Sequence, residues 1–477
     1  MRATLPVTRV HTLVVGSGAA GLNAAVQAKR LGLDVRIVTE GLRKGTSINT
    51  GSDKQTYYKL GLCGASPDSI ASLAEALFAA GGMHGDLALA EAAGSVQAFC
   101  NLVSLGVPFP RDAYGQFPGY KTDHDPARRA TSTGPYTSRD MCEALIREVR
   151  RLRIPVDEGF SVTDLLTCGE GNARRACGAL ALDAAGCWRA FRSENVVFAV
   201  GGFGGLYAAS AYPACQTGAI GVALRAGALA QSLPESQFGL ASIGFRWNVS
   251  GSYMQAVPCL FSTAADGVSD AREFLLDAYA SPGEAYSNLF LKGYQWPFDV
   301  RKAEIGSSRI DLLVHAERES KGRRVFLDYR RNGTGFDRAA LSDEARDYLG
   351  RCGATQRTPF ARLRYMNPGA VELFAAHGID LARMPLEIAL CAQHNNGGLA
   401  ADRWWESVNI RHLFPVGEVN GSHGVGRPGG AALNAGQVGG ARAAAMIAHR
   451  YAGASVGDGE FSAALRAVWS ESEAFAA

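Results

Sequence analysis

Val14-Val15-Gly16-Ser17-Gly18-Ala19-Ala20-Gly21 carries three glycines at the spacing of a phosphate-binding turn. The apolar run from His11 to Val15 predicts a buried strand before the turn, and residues 22–31 predict a helix after it. In such a unit Gly16 allows the tight turn, Gly18 lets the backbone approach a pyrophosphate, and Gly21 lets helix and strand pack closely. The helix N-terminus presents free N–H groups to the phosphates. The stretch therefore predicts dinucleotide binding, and the alternative is a glycine-rich turn that binds nothing.

Polar residues after the next predicted strand, residues 34–38, extend this site. Glu40 stands 19 positions beyond Gly21, where an acidic group accepts the ribose hydroxyls of a dinucleotide, and Thr39 takes this place if the register shifts by one. The loop that follows is rich in hydroxyls. Its predicted cofactor-binding residues are Thr46, Ser47, Thr50, Gly51 and Ser52, and a surface linker is the alternative.

Glycine clusters return far along the chain. One ends an apolar strand at Val200, Gly201 and Gly202, where the backbone can pass beside a bound ring or phosphate. Others include Gly417-Glu418 and the segment Gly430-Ala431-Ala432-Leu433, which opens a predicted helix. A second helix N-terminus of this kind predicts that both ends of the chain hold one dinucleotide.

Composition limits the function classes. The chain has 477 residues, 47% of them hydrophobic, and its 48 basic and 45 acidic residues leave a net charge of +3, so nothing favours nucleic acid or an anionic membrane. Ten cysteines occur without a C-x-x-C pair, so we expect reduced thiols and no metal site. With no secretory h-region and no apolar run of 18 residues, we expect a cytoplasmic protein without a membrane segment.

A change of composition predicts the domain organisation. Between about residues 242 and 390 the chain becomes richer in Trp, Tyr, Pro and charge. We therefore expect a cofactor domain of residues 1–241 and 391–455, an inserted capping domain of residues 242–390 that covers the substrate, and a C-terminal tail of residues 456–477.

These motifs resemble the flavoprotein family of fumarate reductase, succinate dehydrogenase and L-aspartate oxidase. The resemblance spans roughly residues 10–450 and rests on the glycine clusters above and on His423-Gly424 through Arg427. It implies an α/β fold, with a Rossmann-like FAD-binding domain of the glutathione-reductase type interrupted by an α+β capping domain. It further implies that Glu418 holds the ribityl or ribose chain and that residues 431–434 lie against the flavin ring.

The sequence departs from this family at the flavin attachment and substrate positions. Where some members carry the histidine that bonds covalently to FAD, this chain has Ser47, so the resemblance implies non-covalent FAD. Of the histidines and arginines around a dicarboxylate, one is replaced by Gly239 after Gln237-Phe238, and another by Gln393, with a histidine displaced to position 394. The Arg-Gly-Glu-Gly-Gly motif is absent. We therefore do not expect fumarate or succinate as the substrate.

Three residues are the candidate catalytic groups. Arg427 matches the family's Asn-Arg-Leu-Gly arginine and could pair with a substrate carboxylate or a developing oxyanion, or could instead be structural. His394 and His423 suit acid–base work, although a histidine in a glycine-rich loop is often structural. Further candidates in the capping region are Tyr253, Lys292, Tyr294 and Arg301. The aromatic segments Trp296-Pro297-Phe298 and Trp404-Trp405 could form an apolar wall for a larger substrate, with ordinary packing as the alternative.

The favoured function is an FAD-dependent oxidoreductase that transfers a hydride between flavin N5 and a small organic substrate, by reduction of a C–C double bond or the reverse, or by oxidation beside an amine or hydroxyl. A separate electron donor or acceptor is then required. Only 27 residues follow Arg450, so we do not expect the C-terminal docking of an iron–sulfur subunit seen in membrane complexes. The alternatives are a flavin-carrying electron-transfer or scaffold subunit without substrate chemistry, and an NAD-dependent dehydrogenase.

Overall fold

A seven-stranded sheet forms the base of the protein. The structure is a computed structural model, and it describes residues 5–64, 67–79, 81–122, 125–216 and 218–476. Four strands of this large sheet run parallel in the order Val156–Glu158, Val35–Thr39, Val7–Val15 and Trp188–Phe198, and Leu413–Pro415 pairs in parallel with the last of them. The antiparallel strands Arg175–Asp183 and Phe160–Cys168 complete the sheet.

Both faces of the large sheet are buried, as an apolar parallel strand requires. Along the first strand, Val14 belongs to the core on one face, whereas Leu13 and Val15 belong to the core on the other. The first strand begins at Val7, four residues before the predicted start, because the polar residues Thr8 and Arg9 also pair with the neighbouring strand. Tertiary pairing thus extends a strand beyond its apolar signal.

Helices cover the large sheet. Among the described residues, the helices that contribute to the core on the Val14 face are Ala19–Arg30, Ile70–Phe78, Gly85–Ser104, Thr137–Arg151 and Ala431–Arg450. Gly85–Ser104 is long and apolar enough to cross a membrane by length and composition, but half of its most apolar window is buried inside the protein. It is a helix of the core, with Leu87, Phe99 and Leu102 fully covered.

A second sheet of five antiparallel strands lies at the centre of the inserted region. Its strands, in spatial order, are Trp247–Asn248, Ser236–Ser242, Leu386–Asn395, Arg324–Asp328 and Cys259–Thr263. It has its own core with the surrounding helices Ser252–Gln255, Pro282–Leu291, Arg309–His315, Asp343–Arg351, Pro359–Met366 and Pro368–Ala376. The expected α/β fold with an α+β cap is confirmed. The limits at residues 242 and 390 stay a prediction, and both fall inside strands of this sheet.

The remaining elements are short or terminal. The strands are Tyr57–Tyr58, Tyr120–Thr122, Asp125–Thr131, Ala230–Gln231 and Gly398–Leu399, and the helices are Thr46–Asn49, Ile70–Phe78, Ile220–Arg225 and Asp458–Ala476. The helix predicted over residues 217–230 is shorter because Gly227 takes a φ of 81°, and Thr217 lies outside the described residues. The expected C-terminal tail forms a helix that packs through Phe461 and Ala464.

Candidate functional site

A cavity of about 880 Å³ opens where the parallel strands of the large sheet end. Gly16, Thr39, Val200 and Gly417 each follow or end one of these strands, and all four line the cavity. The five-stranded sheet and its helices close the cavity from the other side. Its volume is in the range of cofactor and ligand sites.

Most of the predicted site residues line this cavity. Those that do are Gly16, Ser17, Gly18, Ala19, Ala20, Thr39, Glu40, Thr46, Ser47, Thr50, Gly51, Ser52, Val200, Gly201, Gly417, Glu418, Gly430, Ala432, Leu433, His394 and Arg427. Gly21, Gly202, Ala431 and His423 are not among the lining residues. Tertiary structure thus brings together segments that are almost 400 positions apart.

The turn glycines are needed for close packing. A Cβ at Gly16 would lie 2.4 Å from the Ala199 carbonyl oxygen, and a Cβ at Gly21 would lie 2.3 Å from the carbonyl oxygen of Gly16. Gly16 also has a φ of +98°, which L residues rarely adopt. Gly16 and Gly21 therefore shape the turn, and Gly16 and Gly18 line the cavity.

Two long helices begin at the cavity. Gly18 is the N-cap of Ala19–Arg30, and Gly430 is the N-cap of Ala431–Arg450. Because both N-caps are glycines, neither has a side chain that could accept a hydrogen bond from its helix. The two helices are joined directly, since Asn23 Nδ2 donates to the Gln437 carbonyl (2.8 Å) and Gln437 Nε2 donates to the Ala19 carbonyl (3.0 Å). Two positive helix ends thus face one cavity, an arrangement that favours an anionic ligand.

Thr39 and Glu40 differ in their surroundings. Thr39 ends its strand, is buried, and its Oγ1 lies 2.8 Å from Ser17 Oγ. Glu40 is exposed at the cavity edge, and its Oε1 accepts a hydrogen bond from Ser161 Oγ (2.7 Å). An exposed carboxylate is the better placed of the two to receive ribose hydroxyls, and its role stays a prediction.

The hydroxyl-rich loop folds as a short helix, Thr46–Asn49, beside the glycine turn. Ser47 Oγ accepts a hydrogen bond from the Ala19 N–H (3.3 Å), and Thr50 Oγ1 donates to the Ala211 carbonyl (2.9 Å). Among the described residues, the buried Thr46 Oγ1 has no hydrogen-bond partner. The next residue after the loop, Asp53, is tied to the capping region, because its carboxylate accepts from Ser252 N (2.6 Å) and Ser252 Oγ (2.8 Å).

Glu418 lies in a closed polar network. It accepts hydrogen bonds from the Tyr212 hydroxyl and from the Asn395 N–H (2.8 Å), and its Oε1 is 3.8 Å from His394 Nε2. Burial raises the pKa of the Glu418 carboxyl, and these donors oppose the shift. The family resemblance assigned a cofactor role to Glu418. It did not reveal the hydrogen bond from Tyr212, because Tyr212 belongs to none of the recognised motifs.

Arg427 is a buried cation that is held in place by glutamines. Its Nη2 donates to Gln237 Oε1 (2.8 Å), which also accepts from Gln393 Nε2 (3.1 Å), and its Nη1 donates to the Pro428 carbonyl (3.1 Å). Its Nε has no partner within the described part of the chain. Burial lowers the pKa of Arg427 to about 10, so the guanidinium stays charged at neutral pH. The wall of the cavity therefore includes a fixed cation, whose Nε is buried without a partner among the described residues.

His394 and His423 lie beside this cation. Their ring centroids are 5.0 Å apart, and His394 Nδ1 lies 3.0 Å from Asn396 Oδ1. Burial, reinforced by Arg427, lowers the pKa of His423 to about 3 and that of His394 well below its usual value. Both rings are neutral at pH 7. His394 lines the cavity with a buried Nε2 that makes no hydrogen bond to the described residues, whereas His423 stands behind it.

The capping candidates separate into two groups. Tyr294, Trp296 and Pro297 line the cavity. Lys292 is fully buried in an ion pair with Asp311, Tyr253 donates its hydroxyl to the Ala370 carbonyl (3.0 Å), and Arg301 pairs with Asp299 at the surface (2.8 Å). These last three interactions serve packing or the surface and lie away from the cavity.

One buried acid near the site was missed by sequence reasoning. Glu91 lies on helix Gly85–Ser104, is 1% exposed and accepts a hydrogen bond from Asn434 Nδ2 (3.2 Å). Burial raises the pKa of its carboxyl to about 8, and Arg427 opposes the shift. The sequence pattern that could have revealed it is a charged residue within an apolar helical stripe, since Glu91 follows the apolar Leu87 by four positions on the same helix.

The residues of this cavity fit the FAD that the motifs imply. A Cβ at Gly16 would clash with the Ala199 carbonyl, two helices begin at glycine N-caps, and the buried Thr46 Oγ1 and Gln437 Oε1 lack partners among the described residues. These groups would hold the phosphates and polar edges of a dinucleotide. Within the same residues, no cluster of His, Cys, Asp or Glu is arranged to hold a metal ion.

Comparisons with known proteins agree with this geometry. Residues 11–433 match the family model described as FAD binding domain. The chain is 30% identical to the L-aspartate oxidase of Agrobacterium fabrum over 461 residues, which cover 94% of this chain and 75% of that protein. It is 25% identical to one component of the fumarate reductase (CoM/CoB) of Methanothermobacter marburgensis over 438 residues, 90% of this chain and 71% of that protein. A quinol-fumarate reductase solved with menaquinol molecules superposes with a TM-score of 0.72 at 18% identity, covering 99% of this chain and 76% of that one.

Proposed function

We propose a reaction for this chain, which belongs to the FAD binding domain family together with L-aspartate oxidase and fumarate reductase. In the proposed reaction the protein interconverts a C–C single bond and a C–C double bond in a small organic acid. The chain is an FAD-dependent oxidoreductase. Bound FAD supplies the acceptor or donor of a hydride. The other steps fall to side chains of the cavity.

The observation that carries this proposal is the buried Arg427. A guanidinium that lines the cavity, is 7% exposed and is held by Gln237 is preorganised to bind a carboxylate. Binding there fixes one end of the substrate and stabilises negative charge that develops on a conjugated oxygen. Arg427 is therefore the proposed substrate anchor.

His394 is the proposed proton acceptor in the dehydrogenation direction. Its ring is neutral at pH 7 because burial and Arg427 lower its pKa, and its Nε2 has no hydrogen-bond partner in the described part of the chain. Oxidation of a C–C single bond removes a hydride from one carbon and a proton from the adjacent carbon. The proton needs a base beside the substrate. In the reverse direction the ring would first have to take up a proton from solvent, which its lowered pKa opposes, so His394 favours the dehydrogenation direction. The ring of His423 is 5.0 Å away and supports the position of His394.

Three further properties belong to the proposal. Ser47 Oγ hydrogen-bonds the helix N-terminus, and a serine hydroxyl is not the histidine that carries covalent flavin, so FAD is non-covalent. The protein is cytoplasmic and exchanges electrons with a separate donor or acceptor. Fumarate and succinate are disfavoured, because Gly239 and Gln393 stand at two of the positions that the motifs assign to dicarboxylate binding.

An anaerobic flavin titration tests the proposal. Holoprotein reduced with dithionite is mixed with α,β-unsaturated acids, and flavin reoxidation is followed by absorbance. Arg427→Ala should keep its FAD and lose turnover by orders of magnitude. Arg442→Ala is the matched control, because that arginine lies over Trp404 and outside the cavity. Normal turnover in Arg427→Ala would remove the anchor, and an acid panel that never reoxidises the flavin would favour an electron-transfer subunit.

A further inference from the structure

An indole occupies the space beside Gly239. A Cβ at this position would lie 2.3 Å from both Cε2 and Cζ2 of Trp296. The contact is fixed by the backbone, since the Phe298 N–H donates to the Phe238 carbonyl (2.8 Å). Gly239 follows Gln237, the residue that holds Arg427, by two positions on the same strand. The absence of a side chain at position 239 is therefore what admits Trp296 to the cavity wall.

Three more residues extend this wall on the capping side. Tyr294, Pro297 and Tyr348 line the same cavity as Trp296. The Tyr348 hydroxyl donates to Gln255 Oε1 (3.2 Å), and the Tyr294 hydroxyl donates to Glu344. Because these hydroxyls already have protein partners, the four residues offer a ligand mainly ring and methylene surface. The buried Trp296 Nε1 has no partner among the described residues, and Gln255 and Glu344 line the cavity next to the two tyrosines.

Buried charge is distributed unevenly between the Arg427 end of the cavity and the Trp296 end. The other basic residues of the described lining are exposed, whereas Arg427 is buried; they are Lys44, Lys54, Lys121, Arg128 and Arg351. The neighbouring histidines are neutral at pH 7. A carboxylate on Arg427 is compensated, but a second one against the indole would lose its hydration without a buried partner.

Resting on the proposed function, we infer that the substrate is a monocarboxylate whose α,β-unsaturated bond carries a flat apolar group, with the carboxylate on Arg427 and the apolar group against Trp296. The aromatic wall then selects by apolar area, and the single buried cation among the described lining residues selects by charge. Trp296 is a specificity-determining residue. Burying a phenyl ring in place of a methyl group is expected to improve binding by about tenfold or more.

Binding of three matched acids to the FAD-loaded protein tests this inference. The probes are trans-cinnamate, crotonate and fumarate, which share the unsaturated acid and differ in its substituent: phenyl, methyl or carboxylate. Dissociation constants come from the perturbation of the flavin absorbance spectrum. We expect cinnamate to bind about tenfold or more tightly than crotonate, and fumarate to bind most weakly. Equal affinities, tighter fumarate, or no binding by any of the three would overturn the inference.

Two variants assign the preference to the wall. Trp296→Leu should weaken cinnamate about tenfold and leave crotonate within about twofold, and Trp404→Leu, outside the cavity, should change neither. If Trp296→Leu fails to retain FAD, Tyr348→Leu carries the same expectation. Equal weakening of all three acids would refute the assignment. Flavin reoxidation is measured separately. If the three acids bind equally well but the flavin is reoxidised, only this inference fails. If cinnamate binds selectively but the flavin is never reoxidised, only the proposed function fails.

Discussion

Replacing Gly16 by alanine should lower the stability of the protein, because the added Cβ meets neighbouring backbone and the residue has a positive φ. The new Cβ would lie 2.4 Å from the Ala199 carbonyl oxygen, and the backbone φ is +98°. Left-handed backbone costs an L residue about 1–2 kcal/mol, and overpacking costs about 1–3 kcal/mol. Alanine restores about 0.4–1 kcal/mol by restricting the unfolded chain. The free energy of unfolding should therefore fall by about 1–5 kcal/mol, with the middle of that range at about 3 kcal/mol.

Gly32→Ala separates the two causes. Gly32 also has a positive φ, +83°, but nothing lies within 4 Å of its added Cβ, and it is not among the cavity residues. This variant should lose only about 1 kcal/mol. Urea unfolding followed by circular dichroism gives both losses, and titration with FAD gives the affinities. Gly16→Ala should also bind FAD more weakly, whereas Gly32→Ala should bind it normally. Equal losses in the two variants would refute the argument from close packing.

Three further predictions concern buried charges. Because the folded pKa of His423 is about 3, the unfolded chain binds an extra proton at this residue below about pH 6.5, which should lower stability by about 1.4 kcal/mol per pH unit as the pH drops towards 3. The lowered pKa of His394 adds a slope of the same sign, so His423→Gln should reduce the slope in urea titrations by about 1.4 kcal/mol per pH unit, and an unchanged slope would contradict the prediction. Glu91, with a folded pKa of about 8, has the opposite sign: stability should fall as the pH rises from 4.5 to 8, and Glu91→Gln should flatten that loss, whereas a loss of the same size in the variant would show that the carboxylate is ionised in the native state. Asp311→Asn should cost about 3–5 kcal/mol by removing the charge that compensates buried Lys292, and Lys292→Met with Asp311→Leu should recover most of it; no recovery in thermal unfolding would argue against this ion pair.

The glycine turn shows how far local pattern extends. Its spacing requires a tight turn between an apolar strand and a helix, and the structure has Val7–Val15 followed by Ala19–Arg30. Element ends were less accurate, because residues 7–10 form strand through pairing with Ala190 to Ser193, a long-range effect. Lys292 illustrates the same limit among candidate site residues, since only packing reveals its burial against Asp311.

The sequence by itself determined the cofactor class, the α/β fold with an inserted cap and the identity of Arg427 as a candidate anchor. The dinucleotide-binding turn rests on glycine spacing and apolar runs, which act over a few residues, whereas FAD, the capping fold and the role of Arg427 were implied by the resemblance of the motifs to the flavoprotein family. Only the tertiary structure decided what surrounds that arginine. Gln237, Gln393 and His394 reach it because two strands of the five-stranded sheet pair there, and Trp296 fills the space beside Gly239 because a distant loop packs against the same strand. Such contacts join residues that are far apart in sequence, and no local pattern encodes them.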